Sequence, residues 1–274
     1  MIDEETKELI QKVNYITPLK LVSGRIAEYD IKAANINTLR QAGKISDEVY
    51  RSLLASDKRI REITIGKMIS KDPSIYDTIS EGIKYAKYQL CDSNDIRFDE
   101  IVRIANDAVY INRSYDLKNT DFGYIHFKEK GVYSVVLHLN DIIVFYWNDS
   151  NGINIDTKGL GKLEYLHQNY MLSMIGSSIY LFEQVGIEDA LKYITNFYKQ
   201  YISRSLPIEY YRELNSGSYY SIMNSGFKIS NASNEDMSMI DISYNLNITR
   251  ELYATIFDFY EQKIRYLQNS RKWS

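Results

Sequence analysis

The spacing of apolar residues changes twice along the chain, and each change marks a change in predicted secondary structure. Up to about residue 94 the apolar positions recur mainly at helical intervals, but one alternating run predicts a strand over residues 24–31. Residues 101–155 form short apolar blocks separated by turn residues, which predicts strands. From residue 163 the helical spacing returns. We therefore expect an α+β fold with an antiparallel sheet and helices, followed by a mostly helical C-terminal part.

Start and stop signals give approximate bounds for each element. Ser46 and Asp47 can cap a helix, and Pro73 suits the first turn of another. We predict helices over residues 3–14, 35–41, 47–55, 58–69, 73–92, 163–182, 187–202 and 248–267. We predict strands over residues 24–31, 101–104, 108–111, 123–127, 132–139, 142–147 and 153–155. The change of character near residue 161 suggests a first domain over residues 1–161 and a helical second domain over residues 162–274.

Composition narrows the classes of function. The 274 residues can bury one large core or two small ones, and the net charge of −3 provides no general basic field, so any nucleic-acid-binding surface must be local. The single cysteine, Cys91, excludes an internal disulfide and a thiolate metal cluster. No apolar run reaches the roughly 20 residues that cross a bilayer. The N-terminal residues are acidic and polar, so we expect a cytoplasmic protein that has no membrane partner.

Three short segments carry the candidate chemistry. Asp30 ends an apolar, strand-like run, and Asp107 lies in an Asn-Asp turn between two predicted strands. Between them in sequence, a predicted helix begins with Lys58, Arg59 and Arg61. Two aspartates can hold Mg²⁺ when substrate phosphates supply further oxygens, and basic residues can hold a triphosphate. Taken singly, the same residues also fit a strand end, an ordinary hairpin turn and a solvated basic helix face.

The apolar spacing also predicts which face of the helix over residues 58–69 is turned towards the core. Its apolar residues fall at Ile60, Ile63, Ile65 and Met68. We expect these four side chains to face the core and to leave the lysine and arginines elsewhere on the helix.

The order and spacing of the three segments resemble the palm of family B DNA polymerases. Asp30-Ile31-Lys32-Ala33-Ala34-Asn35 is similar to the first palm motif of that family, and Lys58 precedes Ile65-Gly66 at the spacing of its helix motif. Asn106-Asp107-Ala108-Val109 resembles the Asp-Thr-Asp-Ser motif, and Lys158-Gly159 resembles a Lys-Gly pair that follows the palm strands. The resemblance covers about residues 24–160. It implies a polymerase-palm-like antiparallel sheet with helices in the domain over residues 1–161, and a thumb-like helical domain over residues 162–274.

This resemblance implies a function and assigns roles to residues. It implies a metal-dependent nucleotidyltransferase that adds nucleotides from a nucleoside triphosphate to the 3′-hydroxyl of a primer–template. The implied metal ligands for Mg²⁺ or Mn²⁺, which are also the catalytic residues, are Asp30 and Asp107. The implied nucleotide-binding residues are Lys58, Arg59, Arg61 and Asn35, and the implied primer-contacting residue is Lys158.

Several departures from the family pattern leave other functions open. Ala105 stands where the first aspartate of the Asp-Thr-Asp-Ser motif would be, and Asn35 replaces the tyrosine that excludes a ribose 2′-hydroxyl. Glu62 and Ile65 replace the usual asparagine and tyrosine of the helix motif. One alternative is a non-catalytic palm homologue that binds nucleic acid, a nucleotide or a partner protein in a phage assembly. Another is an unrelated α+β interaction protein.

Overall fold

The computed structural model of the chain describes residues 2–139, 142–158, 165–203, 205–206 and 243–270. Its helices are α1 (Glu4–Ile10), α2 (Ala34–Gln41), α3 (Asp47–Ala55), α4 (Lys58–Lys71), α5 (Ser74–Ser93), α6 (Tyr165–Gln184), α7 (Ile187–Ile202) and α8 (Ser243–Ser270). Its strands are β1 (Asn14–Ile16), β2 (Leu21–Ile31), β3 (Ile101–Ala105), β4 (Ala108–Asn112), β5 (Asp121–Phe122), β6 (Ile125–Leu139), β7 (Ile142–Asp149) and β8 (Gly152–Lys158). A single 3₁₀ turn, Phe98–Glu100, precedes β3.

The predicted α+β class, with an antiparallel sheet and a helical C-terminal part, is confirmed. One difference is that β6 is a single strand, whereas the sequence predicts two strands separated near Gly131. Ile125 and Phe127 are buried while His126 is exposed, and the strand then runs on through Lys128, Glu129 and Lys130, which are all exposed. The first helix is shorter than predicted and ends at Ile10.

The chain divides into two compact units, and the first contains residues 1–18 and 24–133. Its strands are antiparallel in the order β1-β3-β4-β2, and β5 pairs with the start of β6. Within this unit β2 and β6 are linked by the Lys32 N–H, which donates to the His126 carbonyl at 2.9 Å. Helices α1, α2 and α4 each contact the long helix α5, and this arrangement buries a core rich in isoleucine.

The second unit contains residues 19–23 and 134–274. Strands β7 and β8 continue antiparallel from the end of β6, and α7 contacts both α6 and α8. The His138 N–H donates to the Lys20 carbonyl at 2.8 Å, so the start of β2 also pairs with β6 here. The division falls at residues 133/134, while the predicted domain boundary at 161/162 lies outside the described residues.

The predicted inward face of α4 is wrong in part. Ile65 is buried, but Ile60 and Ile63 are about half exposed, at 50% and 49%. The main packing partners of helix α4 are α3 and α5, and its core contact comes from buried Ile65 and from the partly buried Met68 and Ile69. None of the helices in the described ranges combines the length and the apolar character that a bilayer crossing requires.

Candidate active site

The two aspartates singled out by the sequence lie side by side in the first unit, Asp30 on β2 and Asp107 in the turn just before β4. Asp30 of β2 pairs in register with Ala108 of β4, one residue beyond Asp107. The Ile31 N–H also donates to the main-chain carbonyl of Asp107 at 3.2 Å. Strand pairing therefore brings together two carboxylates that are far apart in sequence.

Asp107 is held by a tight turn between β3 and β4. Ala105 pairs with Ala108, which leaves only Asn106 and Asp107 to reverse the chain. Asn106 has a φ of 51°, in the left-handed region that asparagine tolerates better than most residues. Its N–H donates to the Val13 carbonyl at 2.9 Å, which ties the turn to the segment after α1.

The N-terminus of α2 opens onto the same region. Ala33, the residue before the helix, is left-handed (φ 48°, ψ 47°), and no side chain caps the first turn. A left-handed alanine costs about 1–2 kcal/mol, and backbone strain of this kind concentrates at functional sites. The uncapped N–H groups and the positive end of the helix dipole together favour an anion.

A buried polar contact holds the strained segment before α2. The Asn37 side-chain amide donates to the Lys32 carbonyl at 2.6 Å. The Tyr50 hydroxyl of α3 donates to the other side of that amide at 3.0 Å. The conformation that exposes the α2 N-terminus is therefore fixed by the surrounding protein.

The start of α4 supplies the basic residues. Asp57 caps this helix by accepting from the Ile60 N–H at 2.9 Å. Lys58 is highly exposed, and its Nζ lies 3.7 Å from the Glu62 carboxylate. Arg61 is half-buried and donates to the Ser56 carbonyl at 3.0 Å.

These elements enclose a cleft of about 380 Å³. Five of the seven predicted site residues line it: Asp30, Asn35, Lys58, Arg61 and Asp107. Arg59 is exposed on α4 and does not line the cleft. Lys158 belongs to the second unit, where its Nζ lies 3.8 Å from the Asp156 carboxylate.

Two charged residues near Asp30 were missed by the sequence analysis. Lys130 of β6 places its Nζ 3.5 Å from the Asp30 carboxylate and 3.4 Å from that of Glu28. Glu28 is buried and accepts from the Tyr133 hydroxyl at 2.8 Å. The alternation of β2 could have identified Glu28, which is two residues before Asp30 on the same face. Lys130 could not have been identified, because only the pairing of β6 with β2 brings it here.

The electrostatics of the cleft centre on Asp107. Burial, and after it the neighbouring Asp30 carboxylate, raise the pKa of Asp107 above its ordinary value, while Lys130 and Lys58 oppose the shift. Glu28, followed by Asp30, raises the pKa of Lys130 against the effect of its burial. The cleft therefore contains two close carboxylates whose mutual repulsion is only partly relieved by lysines.

The donor set fits Mg²⁺ or Mn²⁺ in one particular way. Within the described ranges, no three His, Cys, Asp or Glu side chains come together as a complete metal site. Mg²⁺, however, commonly binds one or two carboxylates and completes its shell with water and substrate phosphates. The two aspartates next to the uncapped N-terminus of α2 match that requirement.

Comparison with known proteins gives one family. The sequence profile described as Bacteriophage PBS1 gene 130 protein matches residues 5–257. None of the curated proteins compared with the chain is similar enough to count as a relative.

Proposed function

The chain belongs to the Bacteriophage PBS1 gene 130 protein family, and we propose that it is a metal-dependent nucleotidyltransferase with a minimal, polymerase-palm-like site. Its reaction is the addition of nucleotides to a primer 3′-hydroxyl on a nucleic-acid template, in the cytoplasm of the infected host. The observation that carries this proposal is the cleft. It combines two carboxylates, two basic side chains and an uncapped helix N-terminus, drawn from the end of β2 and the start of α2, the start of α4, and the β3–β4 turn.

Each residue of the cleft would have a separate role in phosphoryl transfer. Asp30 and Asp107 would hold Mg²⁺ or Mn²⁺, which supplies charge neutralisation for the triphosphate when bound. Lys58 and Arg61 would bind the phosphates, together with the N–H groups at the start of α2. Asn35 would contact the sugar. The 3′-hydroxyl oxygen would give up its proton to solvent water and bond to the α-phosphorus, while the bond from the α-phosphorus to the bridging oxygen breaks and pyrophosphate leaves.

The test is extension of a labelled primer–template with Mg²⁺ or Mn²⁺, offering dNTPs and NTPs separately. We expect Asp30→Asn and Asp107→Asn each to reduce extension at least a hundredfold, because each removes a charged metal ligand. Asp77→Asn is the matched control, since Asp77 is exposed on α5 and does not line the cleft. Extension that survives both cleft substitutions would contradict the proposal.

A second candidate function is binding without catalysis. Lys130 lies 3.5 Å from the Asp30 carboxylate, in competition with a metal ion, and Ala105 leaves the Asp107 turn without a further carboxylate. In this role the cleft would hold a nucleotide or nucleic acid for a phage partner protein. Tight nucleic-acid binding that is indifferent to Mg²⁺ and to Asp107→Asn, with no extension, would favour it.

A further inference from the structure

A second cavity, of about 250 Å³, adjoins the cleft in the first unit. We call it the side cavity. Asn35 and Asn106 line both the cleft and the side cavity, so the two spaces share the start of α2 and the Asp107 turn. A ligand in the side cavity would therefore lie beside whatever occupies the cleft.

A buried lysine lines the side cavity. Lys87 of α5 is only 1% exposed, and its Nζ donates to the Lys12 carbonyl at 3.1 Å. An ammonium group has three N–H donors, and this carbonyl is the one hydrogen-bond partner that Lys87 has among the described residues. A buried charge with so few partners is unfavourable unless an anion joins it.

The charged groups near Lys87 are one carboxylate and one lysine, so a further anion can still bind favourably to its ammonium group. Burial lowers the pKa of Lys87 to about 8, so the side chain is mainly protonated at pH 7. Its charged neighbours are Asp107 on the β3–β4 turn and Lys84 on its own helix. Lys84 is paired with Glu81 at 2.7 Å. Burial raises the pKa of the nearby Cys91 thiol to about 12, so this group stays neutral.

Most of the remaining wall of the side cavity is apolar or aromatic, and Ser80 and Lys84 are its other polar lining residues. Ile79 and Ile83 of α5 are buried beneath it, and Ile69 of α4 lies on the other side. Tyr76 also lines the cavity, and 61% of this residue is exposed. An exposed aromatic ring beside an apolar wall suits a nucleobase, which has an apolar face.

We propose that the side cavity is a nucleotide subsite contiguous with the cleft, with the phosphate on Lys87 and the base against Tyr76. Its ligand is a nucleotide unit, either free or within a strand. The identity of the ligand as a nucleotide rests on the proposed function. Binding itself requires neither the two aspartates nor a metal ion, so the subsite can be tested separately.

The experiment is equilibrium binding in EDTA at low salt. Fluorescence anisotropy of a labelled single-stranded dT₁₂ oligonucleotide reports the strand, and competition by unlabelled dTMP reports the free nucleotide. Lys87→Met keeps the side-chain length and removes the charge, and Lys67→Met removes a charge from an exposed site on α4. We expect Lys87→Met to weaken both ligands about tenfold and Lys67→Met to change them less than twofold.

Two further variants test which part of the nucleotide each side chain contacts: Tyr76→Ala tests the base and Lys87→Arg tests the phosphate. Tyr76→Ala should weaken dTMP severalfold while leaving competition by inorganic phosphate unchanged. Binding by the unsubstituted protein should fall as the pH rises from 7 to 9, because Lys87, with a pKa of about 8, loses its proton. In Lys87→Arg this fall should be absent, since the guanidinium stays charged.

Three results would contradict the proposal that the side cavity is a nucleotide subsite. They are equal affinities for the unsubstituted protein and Lys87→Met, equal losses in Lys87→Met and Lys67→Met, and a pH profile that is the same with arginine at position 87. The pH profile of the unsubstituted protein keeps the test valid if a variant fails to fold. Loss of primer extension in the aspartate variants, measured separately, bears on the proposed function and leaves this binding result unaffected.

Discussion

Asp107 shows how a single residue can serve a site at the expense of stability. It lies in a two-residue turn, partly buried and beside the Asp30 carboxylate, and both features raise its pKa. A raised carboxyl pKa means that the folded state binds the proton more tightly than the unfolded chain. The stability contributed by that proton is present below the ordinary pKa and is lost as the pH rises through the folded-state value. At neutral pH the ionised Asp107 therefore destabilises the fold.

The first prediction at this scale is that Asp107→Asn stabilises the protein at pH 7. The amide removes the repulsion from Asp30, so we expect a gain of about 1 kcal/mol, or roughly 2 °C in Tm. The gain should shrink as the pH is lowered towards 3, where the aspartate is protonated. Thermal unfolding followed by circular dichroism measures this, with Asp77→Asn as the control. A lower Tm for Asp107→Asn at pH 7 would show that the carboxylate is structurally required.

Helix α2 shows how an element positions the cleft. Its N-terminus faces the cleft, while its body packs against α5 at a close contact between Thr38 and Gly82. A Cβ added at Gly82 would come within 2.0 Å of the Thr38 Cγ2 atom. The small residue on α5 therefore determines how closely α2 can approach.

The prediction at the element scale concerns Gly82→Ala. The added methyl group must push α2 away, which should cost about 1–3 kcal/mol and weaken nucleotide binding at the cleft. Gly66→Ala in α4 is the control, because nothing lies within 4 Å of its added Cβ. That control should stabilise the protein by up to about 1 kcal/mol through helix propensity. Thr38→Ser removes the clashing methyl group and should restore stability to Gly82→Ala; denaturant unfolding measures all three.

At the scale of the whole molecule, the two compact units are not consecutive in sequence. Residues 19–23 belong to the second unit although the residues on both sides of them belong to the first. Leu21, in this short segment, is buried in the second core with residues such as Val144 and Ile194. The segment of residues 19–23 therefore contributes to the core of the second unit.

The prediction at this scale is that Leu21→Ala destabilises the second unit. The cavity should cost about 2–4 kcal/mol, because Leu21 is nearly fully buried. Leu19→Ala is the control, since Leu19 lies in the same segment but is 52% exposed. Hydrogen exchange should accelerate more in β7 than in β4 for Leu21→Ala, and in neither strand for Leu19→Ala. Equal acceleration in both strands would contradict the assignment of Leu21 to the second core.

Local patterns predicted the elements well because their signals are local. Ser46 caps α3 by accepting from the Val49 N–H at 3.3 Å, as its position before the apolar spacing suggested. The Asn106-Asp107 dipeptide correctly marked the turn between β3 and β4. The inward face of α4 was mispredicted, because exposure of Ile60 and Ile63 depends on how few elements pack against that helix.

The sequence by itself determined the α+β class, most element bounds and the residue types available for chemistry, because these depend on neighbours within a turn or a strand. Only the tertiary structure decided which of those residues meet. Strand register placed Asp30 beside Asp107, and packing of α2 and α4 in the first unit brought Lys58 and Arg61 to the same cleft. Lys130 and Lys87 acquired their surroundings in the same way, since burial and charge pairing depend on contacts between segments that are distant in sequence.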